Sequence, residues 1–134
     1  MRSVFIDTSF VIAIFTPEDK HHKQALEIAH ELFDYTEIWI TDAIIYEIGN
    51  SFSKTGKQII AEFIRDCYTT EQMHVVKTDE PLLMKALTHY SDYLDKDWSL
   101  TDCLSFEVMK EKNIAIAYSS DHHFEQAGFQ YVLR

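Results

Sequence analysis

Residues 3–15 read SVFIDTSFVIAIF, and the fold turns on how this stretch divides. Ser3 to Ile6 form a short apolar run of strand type that ends at Asp7. Thr8 and Ser9 are helix-capping residues, and FVIAIF continues as an apolar helix. A strand that passes straight into a helix, with both meant for burial, opens a β–α unit, and the rest of the chain repeats the theme.

Thr16-Pro17-Glu18-Asp19 has the proline and acids of a helix start, which predicts a helix over about 20–34 carrying Ala25, Leu26, Ile28, Ala29, Leu32 and Phe33. EIWI at 37–40 is a strand, and Thr41 caps a helix through about Ser53. A helix over 57–67, the strand HVVK at 74–77 and a helix from Thr78-Asp79-Glu80-Pro81 to about Tyr93 follow. Ser99 to Lys112 is helical, IAIAY at 114–118 is a continuous apolar strand, a helical turn follows Asp121, and QYVL at 130–133 is the last strand. Strands apolar on both faces that alternate with helices predict an α/β fold with a parallel sheet covered on both sides.

The chain has 134 residues, 46% of them hydrophobic, which suits one domain over 1–134. Three Gly and two Pro leave no linker, and no repeat or low-complexity run is present. The N-terminus lacks the apolar region of a secretory signal and no stretch approaches the ~20 apolar residues that span a bilayer, so a soluble, cytoplasmic protein without membrane contact is expected. Cys67 and Cys103 lack CxxC spacing and read as packing residues in a reducing compartment. With 22 acids against 12 Lys and Arg, the net charge of −10 excludes tight, sequence-independent duplex binding by phosphate neutralisation. It is compatible with a nucleic-acid enzyme whose bound cations neutralise the substrate locally, and with a cationic protein partner.

Asp7, Glu47, Asp102 and Asp121 are the candidate site residues. In open α/β sheets functional groups collect at the carboxyl ends of strands, where Asp7 and Asp121 follow SVFI and IAIAYSS. Glu47 lies on a helix beside Ile44, Ile45 and Ile48, from which Asn50, Ser51 and Lys54 extend a polar stripe. Each acid also has a purely structural reading. Ser99-x-x-Asp102 is a capping box, Asp7 and Asp121 stand where N-caps belong, and Glu47 could simply face solvent. Drawn to within ~5 Å of one another, four carboxylates would repel by about 3 kcal/mol per pair at an effective dielectric of ~20. Such a cluster calls for cations or raised pKa values, and an all-oxygen donor set selects Mg²⁺ or Mn²⁺ over zinc. His21-His22, His30, His74, His89 and His122-His123 show no HExxH or paired-Cys spacing and read as surface or packing residues. No GxSxG, P-loop or Rossmann glycine pattern occurs.

The blocks FIDTSFVIAIF, TDAIIYEIGN, SLTDCLSFEVMKE and SSDHHFEQAGF, in this order and at these separations, resemble the PIN-domain family and within it the VapC-type toxins of toxin–antitoxin pairs. The resemblance implies a three-layer α/β/α sandwich around a central parallel sheet and Mg²⁺- or Mn²⁺-dependent cleavage of single-stranded RNA. It implies Asp7, Glu47, Asp102 and Asp121 as the acidic quartet, Ser9 and Ser119 as hydroxyls near the metal, a cognate antitoxin partner and a homodimer. His122 stands where the family often has Arg, and Ser119 where it often has Thr. The expected mechanism has Asp7, Asp102 and Glu47 holding one or two ions, Asp121 completing the site, and water as nucleophile, leaving a 5′-phosphate. A phosphoaspartyl phosphatase would also begin on a strand-terminal Asp, but Ser9 replaces the second Asp of its DxD pattern. A non-catalytic PIN-like module that binds RNA or protein is the remaining alternative.

Overall fold

The structure, a computed structural model, describes residues 2–35 and 37–134. Strands β1 (Ser3–Ile6), β2 (Glu37–Thr41), β3 (Met73–Val76), β4 (Ile116–Tyr118) and β5 (Gln130–Tyr131) form one sheet in the order β3-β2-β1-β4-β5. Every neighbouring pair is parallel, with Phe5 opposite Trp39 on one side and Ala117 on the other. Among the described residues seven α-helices connect them: α1 (Thr8–Phe15), α2 (His22–Ala29), α3 (Asp42–Ser51), α4 (Lys57–Thr69), α5 (Glu80–Asp92), α6 (Leu100–Glu111) and α7 (His123–Gln126). Right-handed crossovers put α1 to α4 on one face, as the chain steps outward from β1 to β3, and α5 and α6 on the other, as it returns across β1 to β4. The packing agrees: α1 contacts α2 and α3, α3 contacts α4, and α5 contacts α6.

Alternation along β1 divides the core. Phe5 packs toward Phe124, which meets Phe106 of α6 edge-on at 5.3 Å, while Ile6 faces Phe10, Val11 and the α4 side. In α6 all residues from Asp102 to Met109 are buried, because α5 covers the helix away from the sheet. Its two polar groups beyond Asp102 are matched, Ser105 donating to the Thr101 carbonyl at 3.1 Å and Glu107 meeting His89 Nδ1 at 2.8 Å.

Three elements differ from the sequence expectation. The helix expected over 20–34 starts only at His22, since the Asp19 carboxylate takes the His21 amide at 2.8 Å, and its last turn, His30–Asp34, tightens to a 3₁₀ helix. The strand expected at 114–118 begins at Ile116, because α6 ends with Asn113 in a left-handed conformation (φ 55°) and the Ile114 amide turns back to the Met109 carbonyl at 2.8 Å. The last strand is confined to Gln130 and Tyr131, beyond which Leu133 N–H bonds the Ser119 carbonyl at 2.9 Å.

The chain leaves β1 in one direction and resumes at β4 on its other side, so a topological switch point lies between the carboxyl ends of β1 and β4. Asp7 and Asp121 flank it.

Candidate active site

Asp7 is held where β1 ends, its amide bonded to the Tyr118 carbonyl of β4 at 3.1 Å. It occupies the N-cap position of α1 but its side chain caps nothing, and neither Thr8 nor Ser9 caps the helix as expected. Instead Asp7 Oδ2 accepts from Ser119 Oγ at 2.8 Å and Ser9 Oγ at 2.9 Å. Each hydroxyl in turn accepts one backbone amide, Ser9 from Ser120 at 3.0 Å and Ser119 from Asp121 at 2.9 Å. A hydroxyl has a single proton, so receiving an amide leaves that proton for Asp7. The two serines thus stitch the end of β4 to the start of α1 through one carboxylate oxygen.

Asp102 enters from α6. Its Oδ2 accepts the Ser99 amide at 3.1 Å while Ser99 Oγ accepts the Asp102 amide at 3.0 Å, so the capping box is present. The same oxygen meets His123 Nδ1 at 2.9 Å. Asp121 Oδ1 accepts the His123 amide at 2.9 Å and lies 3.2 Å from that ring nitrogen. Glu47, on α3, receives the Thr8 hydroxyl on Oε1 at 2.5 Å, which ties it to the residue after Asp7. Among the described residues, each of the four carboxylates therefore commits one oxygen to the protein, and no hydrogen bond engages the other.

Burial and charge make Asp7 and Asp102 costly to ionise. Asp7, 7% exposed, is pushed by burial from the ordinary 3.8 up to about 6, against the lowering effect of the Ser119 and Ser9 hydroxyls, and the charges of Asp102 and Asp121 push the same way. Burial likewise raises Asp102, opposed by the Ser99 amide and His123. Among the described residues, ion pairs of lysine and arginine at Lys85–Glu111, Lys96–Asp95 and Arg134–Glu125 lie away from these acids. The donor set fits a hard divalent cation: carboxylates each oriented through one oxygen and with the other uncommitted. No three of the acids bring one oxygen each within 4.8 Å of one another among the described residues. The group that is this tight is Asp121, His122 and His123.

His123 corrects the sequence reading, which gave all seven histidines a surface or packing role. Its side chain is 18% exposed and bridges Asp102 and Asp121, whereas His122 is 66% exposed and stands 3.9 Å from Asp121. The only signal was its place two residues after Asp121 at the start of a helical turn.

A family model described as the PIN domain matches residues 4–130. Among curated proteins no sequence matches this chain. Of solved structures, VapC20 of Mycobacterium tuberculosis, described as a sarcin–ricin loop cleaving toxin, aligns with a TM-score of 0.86 at 22% identity over 98% of this chain and 99% of its own. FitAcB of Neisseria gonorrhoeae aligns with a TM-score of 0.68 at 11% identity over 96% and 95% of the two chains. VapBC-1 of nontypeable Haemophilus influenzae gives 0.64 at 13% identity over 97% and 96%.

Proposed function

Because the chain belongs to the PIN-domain family, we propose that it is an endoribonuclease that cleaves single-stranded RNA with Mg²⁺ or Mn²⁺, and that it is the cytoplasmic toxin of a toxin–antitoxin pair. The observation that carries the reading is the set of four carboxylates, each clamped through one oxygen by a neutral or imidazole donor and each keeping the other oxygen uncommitted. When bound, a divalent ion would supply positive charge against the phosphodiester and a more acidic water, and hydrolysis by water would leave a 5′-phosphate. Asp7, Glu47, Asp102 and Asp121 would hold it.

The remaining residues position these acids. Ser9 and Ser119 fix the rotamer of Asp7 and favour its ionised form, and Thr8 does the positioning for Glu47. His123 bridges Asp102 and Asp121 through Nδ1, at 2.9 Å and 3.2 Å, and so holds one oxygen of each in place. Cleavage of a labelled single-stranded RNA by wild type in Mn²⁺, abolished by EDTA and by Asp102→Asn, is the expected result. RNA binding without cleavage in Mn²⁺ would favour the non-catalytic alternative.

A protein partner is supported by an apolar groove on the α1, α2 and α4 face, about 640 Å³ in volume and lined by Phe10, Ile14, Leu26, Leu32, Phe33 and Phe63. Leu26 is 45% and Phe33 78% exposed there, a contiguous apolar surface of the kind that proteins cover. The matched structures VapBC-1 and FitAB bound to DNA carry names of two-component assemblies, and an antitoxin is the partner proposed for this chain. Within it, an Arg or Lys could take the place of the cation's charge among the acids. No helix of the described residues is long and apolar enough to cross a membrane.

A further inference from the structure

On the opposite face of the sheet a second cleft, about 600 Å³, lies between α5, α6 and the turn from α7 to β5. In a chain of 22 acids and 12 lysines and arginines, its lining contains Lys96 and Lys110 and no carboxylate. Its aromatic wall is fixed in place. The Tyr93 ring stacks on His89 at 5.5 Å and 15° and leans on Trp98 at 5.0 Å, while remaining 44% exposed. Trp98, 7% exposed, forms the floor and donates Nε1–H to Gln126 Oε1 at 2.9 Å, and Glu107 holds His89 at 2.8 Å. At Gly128 an added Cβ would meet nothing within 4 Å, so that side is open.

The cleft is coupled to the acids by two short pieces of chain. Trp98 immediately precedes Ser99, which caps α6 and bonds Asp102, and Gln126 ends the helix whose first residue, His123, contacts Asp102 and Asp121. An aromatic face with the ammonium groups of Lys110 and of Lys96, the latter paired at 3.1 Å with Asp95 outside the lining, and with no carboxylate in the lining itself selects a planar, anionic ligand, and a cleft of this volume accommodates one small molecule or one residue of a polymer. We propose that it binds one unpaired nucleotide of the RNA substrate, with the base against Tyr93 over the Trp98 floor and the phosphate toward Lys96 and Lys110, beside the phosphodiester presented to the acids. This rests on the ribonuclease reading above. It also answers the charge problem of a chain with net charge −10, because stacking and two local cations supply the affinity that a broad basic surface would otherwise provide.

The test is binding of a mixed-sequence single-stranded oligoribonucleotide to wild type in EDTA, read by fluorescence anisotropy over a range of salt. Tyr93→Ala is expected to weaken binding by roughly fivefold or more and Tyr93→Phe, which keeps the ring, to restore it. The double variant Lys96→Ala with Lys110→Ala should flatten the slope of log K against log salt by about 0.7, the release expected for one phosphate, which loss of structure alone would not do. Tyr68→Ala, at a tyrosine of α4 that is 59% exposed, should change nothing. Equal binding by wild type and Tyr93→Ala, or no binding by wild type, overturns the proposal. If the variants behave as expected and wild type with Mn²⁺ leaves the oligonucleotide intact, the ribonuclease reading falls and the nucleotide site stands.

Discussion

Replacing Asp7 with Asn should stabilise the protein in the absence of divalent ions, although it removes a residue from the candidate active site. Burial lifts the Asp7 carboxyl from 3.8 to about 6, a difference worth about 3 kcal/mol between its protonated and ionised forms. Between those two values the native state binds more protons than the unfolded chain, so this residue's contribution to stability falls as pH rises from about 4 to about 6 and stays low above that. Asn has no charge to desolvate. Its side-chain oxygen can still accept from Ser9 and Ser119, and its amide hydrogens stand near the acids, Asp102 and Asp121, whose charges act on Asp7. Allowing for imperfect satisfaction of that amide, the gain at pH 7.5 is about 1–3 kcal/mol, or roughly 3–10 °C in Tm for a domain of this size. The assay is thermal unfolding of both proteins in EDTA at pH 4.5, 6 and 7.5, with the difference in Tm growing with pH. Millimolar Mn²⁺ should narrow or reverse the difference, since an ion that binds only the native site adds about 2.7 kcal/mol at one hundred times Kd, and the variant loses much of that response. Equal melting temperatures in EDTA at pH 7.5, or a wild type indifferent to Mn²⁺, would refute the reasoning.

Asp102→Asn should lower the rate of RNA cleavage by at least about 100-fold, because it removes a charged group that the proposed ion needs, and the measurement is single-turnover cleavage in Mn²⁺. Ser99→Ala should cost about 1 kcal/mol by loss of the hydroxyl cap on the Asp102 amide and, because the Ser99 backbone amide still donates to Asp102 Oδ2, leave Mn²⁺ binding nearly unchanged, with thermal unfolding and calorimetric titration reading the two effects. Phe33→Asp, at a side chain 78% exposed in the apolar groove, should leave cleavage and Tm unchanged and abolish co-purification with the product of an adjacent antitoxin gene. A monomer mass by light scattering would remove the homodimer that the family resemblance implies.

What could be read from sequence was what local chemistry decides. Apolar runs placed the strands, and Thr41, Asp79 and Ser99 each cap the helix they precede, accepting from Ile44 at 3.2 Å, Leu82 at 2.9 Å and Asp102 at 3.0 Å. Contacts between distant residues were not legible. Asp7 stands in an N-cap position, yet a hydroxyl 112 residues away claims its oxygen, and Thr8 turns to Glu47 across 39 residues instead of capping its own helix. His123 was missed for the same reason: its partner Asp102 lies 21 residues back and reaches it only once α6 packs beside α7. Strand ends were overestimated because a hydrophobic run such as 114–118 does not reveal that its first amide is spent closing the preceding helix.

The structural and functional readings of these acids, opposed in sequence, are complementary in three dimensions. Asp102 caps α6 through Oδ2 and leaves Oδ1 without a hydrogen bond among the described residues, so capping removes nothing from a cation and sets where the second oxygen stands. The N-terminus of α6 also places partial positive charge beside a carboxylate that burial would otherwise discharge. The Asp121 contact with the His123 amide has the same form at the start of α7. Of the three aspartates only Asp7 accepts no backbone amide at a helix start, and its two hydroxyl donors do not offset its burial. The cost of the site is therefore concentrated at Asp7, at the carboxyl end of the central strand, where an incoming cation would recover most.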